Sequence, residues 1–194
     1  GSGTANTLNG EANLTYDGNN VNLAIDDSGE GLRITASGNN YSLLKFDSNV
    51  SSAGGSLSNI QGHWNGTEVA NIIFAAGDDT SNKDDGIIKF HTTTSGGSST
   101  ERLRIDSNGN MGLGITPSAH STTSSLVKSL QIGTVTNLYN ESSDDYTILG
   151  NNIYYNGTNN KRIKAQECSR LMMNAGELTF QRAGADTADS NITF

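Results

Sequence analysis

The chain has 194 residues, a formal net charge of −8 and a sequence pI near 4.7, and its 12 Lys and Arg residues are dispersed along it. That balance excludes a nucleic-acid binder, which needs clustered cations to meet phosphates, and no apolar run approaches the roughly 20 residues that span a bilayer as a helix. Leu, Ile, Val and Phe make up about one residue in five, and Gly, Asn, Ser and Thr close to half, so a lone globule of this composition is short of core.

Gly1-Ser2 reads as the remnant of a cleaved purification tag. Residues 3–115 then read as one β-hairpin after another. Leu14-Thr-Tyr16-Asp17-Gly18-Asn19-Asn20-Val21-Asn-Leu23-Ala-Ile25 alternates apolar and polar residues on both sides of an Asp-Gly turn, the strongest short-range hairpin signal. A looser copy runs from Leu32 to Leu44 around Ser37-Gly38-Asn39-Asn40. The fullest copy is Leu103-Arg-Ile105-Asp106-Ser-Asn108-Gly109-Asn110-Met111-Gly112-Leu113-Gly114-Ile115. Alternation sets Leu103, Ile105, Met111, Leu113 and Ile115 on one face, with Gly112 and Gly114 on the other, where a second backbone is expected to approach closely. Gly112-Leu-Gly114 is not a phosphate loop, since no helix follows it and no Lys is placed to meet a phosphate. Arg33, Arg102 and Arg104 fall on outward positions, where pairing with Glu101 or a neighbouring chain's Asp is expected.

Residues 116–125, around the only proline, Pro117, carry no apolar period and read as a linker. Residues 126–194 resume as a second β-repeat segment. Leu126-Val-Lys-Ser-Leu130-Gln-Ile132 reads as a strand or a brief helical turn, and hairpins follow at Ile153–Asn159 around Asn156-Gly157 and at Leu171–Phe180 around Asn174-Ala175-Gly176. No helical period is sustained anywhere, so the fold class is all-β with almost no helix. Each strand has one face prepared for burial and little in its own chain to bury it against. Identical copies are the simplest source of the missing surface.

The doubled carboxylates Asp26-Asp27, Asp78-Asp79, Asp84-Asp85 and Asp144-Asp145 sit beside turn residues, where an Asp side chain accepts backbone amides two residues on. Calcium is the alternative reading for Asp78, Asp79, Asp84 and Asp85, with Ser81 and Asn82, although the EF-hand spacing and closing Glu are missing. His63, His91 and His120 lack metal-ligand spacing; three copies of His91 meeting on an axis compete with ordinary surface or packed histidines. Cys168 is the only cysteine, which excludes an intrachain disulfide and leaves a half-buried small apolar residue. No nucleophile sits on a recognisable elbow, and no cofactor is expected. Sugar rings stack on exposed aromatics, so Trp64, Tyr154 and Tyr155 are the candidate ligand-binding residues. Tyr154 and Tyr155 are neighbours on one strand, so one of them is expected to face outward. For Trp64, packing against a neighbouring chain competes with sugar binding.

Three stretches, Asp78-Asp-Thr-Ser-Asn-Lys-Asp-Asp-Gly86-Ile-Ile-Lys-Phe90, Thr92-Thr-Thr-Ser-Gly-Gly97 and Glu101 through Pro117, resemble the shaft repeat of tailed-bacteriophage tail fibres and related receptor-binding fibres. Ile148-Leu-Gly-Asn-Asn-Ile-Tyr-Tyr-Asn-Gly157 and Ser190-Asn-Ile-Thr-Phe194 resemble the repeat that follows it. The resemblance, carried mainly by residues 60–117 and 145–194, implies an elongated, intertwined homotrimeric β-fibre, of β-prism or triple β-helix type, displayed on a virion. On that reading Leu103, Ile105, Met111, Leu113 and Ile115 turn toward the trimer axis or an inter-chain layer. The implied function is host adsorption without catalysis, through weak multivalent contacts with a cell-surface polysaccharide or protein receptor, alongside other tail proteins. Such fibres often end in a helical, self-cleaving chaperone. No segment here matches one, and Ile192-Thr-Phe194 stops where another hairpin would begin, so a truncated piece is expected. A tailspike-type polysaccharide depolymerase and a cellular extracellular adhesin remain as alternatives.

Overall fold

The computed structural model describes residues 14–25, 28–29, 31–120, 127–141 and 146–194, and among them there is no helix. Contacts divide the chain between Lys45 and Phe46. In the first unit, β1 (Leu14–Tyr16) and β2 (Val21–Leu23) form the expected hairpin, with Leu14 opposite Leu23 and Tyr16 opposite Val21. Asp17 builds the turn: its Oδ1 accepts the amides of Asn19 (2.9 Å) and Asn20 (2.6 Å). Those amides favour the charged carboxylate and hold Asp17 down at about 2. The hairpin expected over Leu32–Leu44 does not form. Its turn is present, with Asn40 Nδ2 donating to the Ser37 carbonyl at 2.8 Å and Gly38 at φ 67°, but residues 31–55 contain no strand. The β1–β2 ribbon also lacks a third strand; what separates the two is the turn, since Asp17 gathers the amides of Asn19 and Asn20 whereas Ser37-Gly38-Asn39-Asn40 has no carboxylate to do so and no further strand to make up for it.

The second unit is a ten-stranded sheet. In chain order its strands are β3 (Ser56–Trp64), β4 (Thr67–Ala76), β5 (Gly86–Thr93), β6 (Ser99–Ile105), β7 (Met111–Leu113), β8 (Ser129–Ile132), β9 (Thr136–Asn140), β10 (Thr147–Asn151), β13 (Cys168–Asn174) and β14 (Glu177–Ala183). Sequential neighbours pair, and a separate hairpin of β11 (Ile153–Tyr155) and β12 (Asn160–Arg162) is inserted between β10 and β13. The expected hairpins at 103–115, 153–159 and 171–180 are all present. Asn65-Gly66 and Ala175-Gly176, all at positive φ, make the two-residue turns after β3 and β13. In the β6–β7 turn, Asp106 Oδ1 accepts the amides of Asn108 (3.0 Å) and Asn110 (2.8 Å), and Gly109 takes φ 80°.

One pairing breaks the meander: β7 and β8 are parallel, with Met111 opposite Leu130 and Leu113 opposite Ile132. The strands on either side of the expected linker, 116–125, therefore belong to one sheet. A parallel pair needs a crossover, and Gly112 is where the crossover touches the sheet. A Cβ there would lie 2.1 Å from the Ile115 carbonyl oxygen and 2.8 Å from Pro117 Cδ. This corrects two expectations. The backbone that approaches Gly112 is the chain's own, and Ile115 lies beyond the end of β7, outside the strand that carries the Leu103–Leu113 face. Gly114 meets nothing within 4 Å; glycine is favoured there because φ is +69°.

The core lies on the covered side of β8–β13, where Tyr139, Ile148, Ile153 and Cys168 cluster, with Tyr155, Met172 and Ile192 packed against them. Much of what is buried is polar. Gln131 Oε1 accepts the Ser118 amide (2.7 Å), Asn137 Nδ2 donates to the Ile153 carbonyl (2.7 Å), and Asn110 Oδ1 accepts both the amide and hydroxyl of Ser129 (3.2 Å each). Fixed amide side chains thus tie the crossover and the inserted hairpin to the sheet with few apolar residues.

Candidate functional site

The other face of the ten-stranded sheet carries a long run of apolar residues. Directly paired residues share a face, and following the register strand by strand gives Ser58, Phe74, Ile88, Ile105, Met111, Leu130, Leu138, Leu149, Leu171 and Phe180 as one row crossing all ten strands. Beside it runs a second row of Ile60, Ile72, Phe90, Leu103, Leu113 and Ile132, followed by Thr136, Asn151, Ser169 and Arg182. From β3 to β13 neither row contains a charged residue. Both are half-buried at best: Leu138 is 44% exposed, Leu149 48% and Phe180 69%. Soluble monomers rarely leave a contiguous apolar patch of this extent in water.

Leu103, Ile105, Met111 and Leu113 all belong to these rows, as the repeat predicted. Asn108 and Gly109 sit in the adjoining turn, whose Asn108 carbonyl accepts Lys128 Nζ at 2.5 Å. Trp64 is 80% exposed. Alternation from Ser58 through Ile60 and Gly62 puts it on the apolar side, at the end of edge strand β3. Tyr154 and Tyr155 are both half-buried. Tyr154 donates its hydroxyl to Asp189 Oδ1 (2.9 Å), and burial together with that carboxylate raises its hydroxyl to about 12. Tyr155 packs against the core cluster, and burial raises its hydroxyl as well.

Two of the four carboxylates of the 77–85 loop, Asp79 and Asp85, are occupied by the loop itself. Asp79 Oδ1 accepts the amides of Ser81 and Asn82 (2.9 Å each), and Asp85 accepts those of Asp78 (2.9 Å) and Asp79 (3.2 Å). These are the turn bonds expected of Asp, and they lower the Asp79 pKa. Asp84 is exposed. No group of three His, Cys, Asp or Glu side chains among the described residues is placed to hold a metal. Asp26, Asp27, Asp144 and Asp145 lie outside the described residues.

Glu101 pairs with Arg104 as predicted (2.6 Å), and that contact lowers the carboxyl's pKa. The pair depends on a bulge: Leu103 faces Phe90 while Glu101 faces His91, so Arg102 is the extra residue, and its Nε donates to Thr92 Oγ1 (3.0 Å). His63 is exposed and His91 half-buried.

Sequence reasoning missed the buried polar residues of the covered side. His120 is completely buried, its ring against Tyr139 (centroids 5.2 Å apart) and edge-on to Tyr154 (5.9 Å), with the Tyr155 amide 3.5 Å from Nδ1. Burial pushes it down to about 4, opposed only in part by Asn137 and the charge of Asp106. Asn152, at φ 63°, holds the loop before β13: its Nδ2 donates to the carbonyls of Lys164, Gln166 and Glu167 (3.1 Å each), and its Oδ1 accepts the Lys164 amide (2.7 Å). The one legible signal was the Asn151-Asn152 pair between two apolar strands, since Asn tolerates left-handed backbone.

No known protein-family model and no curated protein sequence matches the chain.

Proposed function

We propose that the chain is a homotrimeric segment of a phage tail fibre, in which three copies turn their apolar faces toward a common axis and serve host adsorption. The observation that carries this reading is the uncharged apolar row across ten strands, left in water by the single chain. At about 4.8 Å per strand, the row is roughly 43 Å long along the hydrogen-bonding direction. A three-fold axis parallel to it brings each level against its own counterparts, Leu138 to Leu138 and Leu149 to Leu149. The lack of charge in the rows supports self-association, since a charge near the axis would face two copies of itself in a desolvated layer.

In this arrangement Trp64 lies on the inter-chain side, which favours its packing role. The turns and the covered face point outward. Contacts made there with a cell-surface glycan are individually weak, and three copies per fibre convert them into attachment by raising effective concentration. Mixing the assembled protein with host-cell polysaccharide, while following both binding and reducing-sugar release, tests the function. Binding without release is expected. Release with turnover makes the protein a depolymerase, and the absence of any binding removes the adhesive role from this segment.

A further inference from the structure

A hairpin turn without its hairpin lies between Gly38 and Asn40. Asn40 Nδ2 closes it onto the Ser37 carbonyl, and Gly38 supplies the left-handed step. On either side the sequence alternates loosely as a strand would, yet neither arm forms a strand. Leu32 is 75% exposed and Tyr41 84%, and Ile34, Leu43, Leu44 and Phe46 are exposed with them. The same kind of turn between β6 and β7 is flanked by strands held inside a sheet. The β1–β2 ribbon pairs alone with Asp17 closing its turn; residues 32–46 have no such carboxylate and no third strand or layer that would hold their arms together instead.

We infer that residues 32–46 complete their hairpin only against the same segment of other copies, so that assembly folds this part of the chain. The inference rests on the trimeric reading above. A copy is the occupant because the segment cannot travel far. Residues 49–55 are fixed to β4 and the loop after it, by the Gly54 amide on the Ala76 carbonyl (3.1 Å) and by Lys83 Nζ on Asn49 Oδ1 (2.5 Å). In a three-fold assembly the three segments therefore leave the sheets at one level, within reach of one another. Their composition suits mutual burial, with Arg33 and Lys45 the only charges among 32–46. Segments that gain order only on association are expected where a chain cannot bury enough apolar surface alone.

Amide hydrogen exchange on the full chain, read by mass spectrometry across a dilution series with the mass measured in parallel, tests this. At assembling concentrations, amides in 32–36 and 41–46 should exchange at least about 100-fold more slowly than in the dissociated chain. A trimer in which β3–β14 are protected and 32–46 still exchanges freely overturns the inference and leaves the trimer standing. A chain that stays monomeric at every concentration overturns both. The Ile34→Lys/Leu43→Lys double variant should stay trimeric through the sheet rows and lose protection only in 32–46; retained protection there contradicts the inference.

Discussion

Replacing Asn152 with Ala probes how a sheet with so few buried apolar residues is held together. The side chain is 1% exposed and joins the loop before β13 through one accepted bond and two N–H groups shared among three carbonyls. Losing it strips the Lys164 amide of its acceptor, at about 1–3 kcal/mol for a group left without a partner. Three carbonyls lose a shared donor, and an Ala Cβ must sit at φ 63°, which adds about 1–2 kcal/mol. The sum is a loss of about 3–5 kcal/mol. Asn152→Gly removes the same bonds but accepts the left-handed backbone, so it should cost about 1–2 kcal/mol less than Ala. Asn152→Asp should be the worst of the three at neutral pH, since a carboxylate offers no hydrogen to the carbonyls of Lys164, Gln166 and Glu167 and is itself buried. Urea unfolding at one fixed protomer concentration, followed by circular dichroism, ranks the variants. An Ala variant within about 0.5 kcal/mol of the parent, or a Gly variant as damaged as Asp, refutes the reasoning.

Acid should weaken the covered side through His120. An unfolded His takes up its proton near 6.5, whereas the buried ring resists until about 4; the unfolded chain therefore binds more protons in between, and stability falls as pH drops through that window, by roughly 3 kcal/mol in all. His120→Gln should flatten that part of a stability-against-pH curve, and an unchanged slope contradicts the assignment. Gly112→Ala should cost more than Gly114→Ala, because the first drives a Cβ into the Ile115 carbonyl and Pro117 while the second strains only a backbone angle; thermal melts of the two variants read the order directly. Ile105→Asp puts a carboxylate in the apolar row between Ile88 and Met111 and should dissociate the assembly at a cost of several kcal/mol per chain. An Ile105→Asp protein that stays trimeric with unchanged melting shows the face to point outward.

The hairpins at 14–25, 103–115, 153–159 and 171–180 were legible because each couples alternation to a turn with its own chemistry, Asp-Gly, Asn-Gly or Ala-Gly. The same signals at 32–44 predicted a turn correctly and strands wrongly: Ser37-Gly38-Asn39-Asn40 has no carboxylate to gather amides as Asp17 and Asp106 do, and its arms have no further strand to pair with. The long row could be read only where alternation was clean, as at Leu103–Leu113. Ile72-Ile73-Phe74 and Ile148-Leu149 place apolar residues on both faces, which hides the row until register is known. The parallel β7–β8 pair was not legible at all, because a crossover through polar residues looks like a linker. Buried Asn137, Asn152, Gln131 and His120 were missed for a related reason: a polar side chain with its partners far away in sequence is indistinguishable from a surface one.

The mass of the chain in solution tests the trimeric account most directly. Light scattering on the eluting protein should give a folded species of roughly 61 kDa, three times the 20.4 kDa chain. A folded species of 20.4 kDa that persists at high concentration, with its apolar rows still in water, contradicts it.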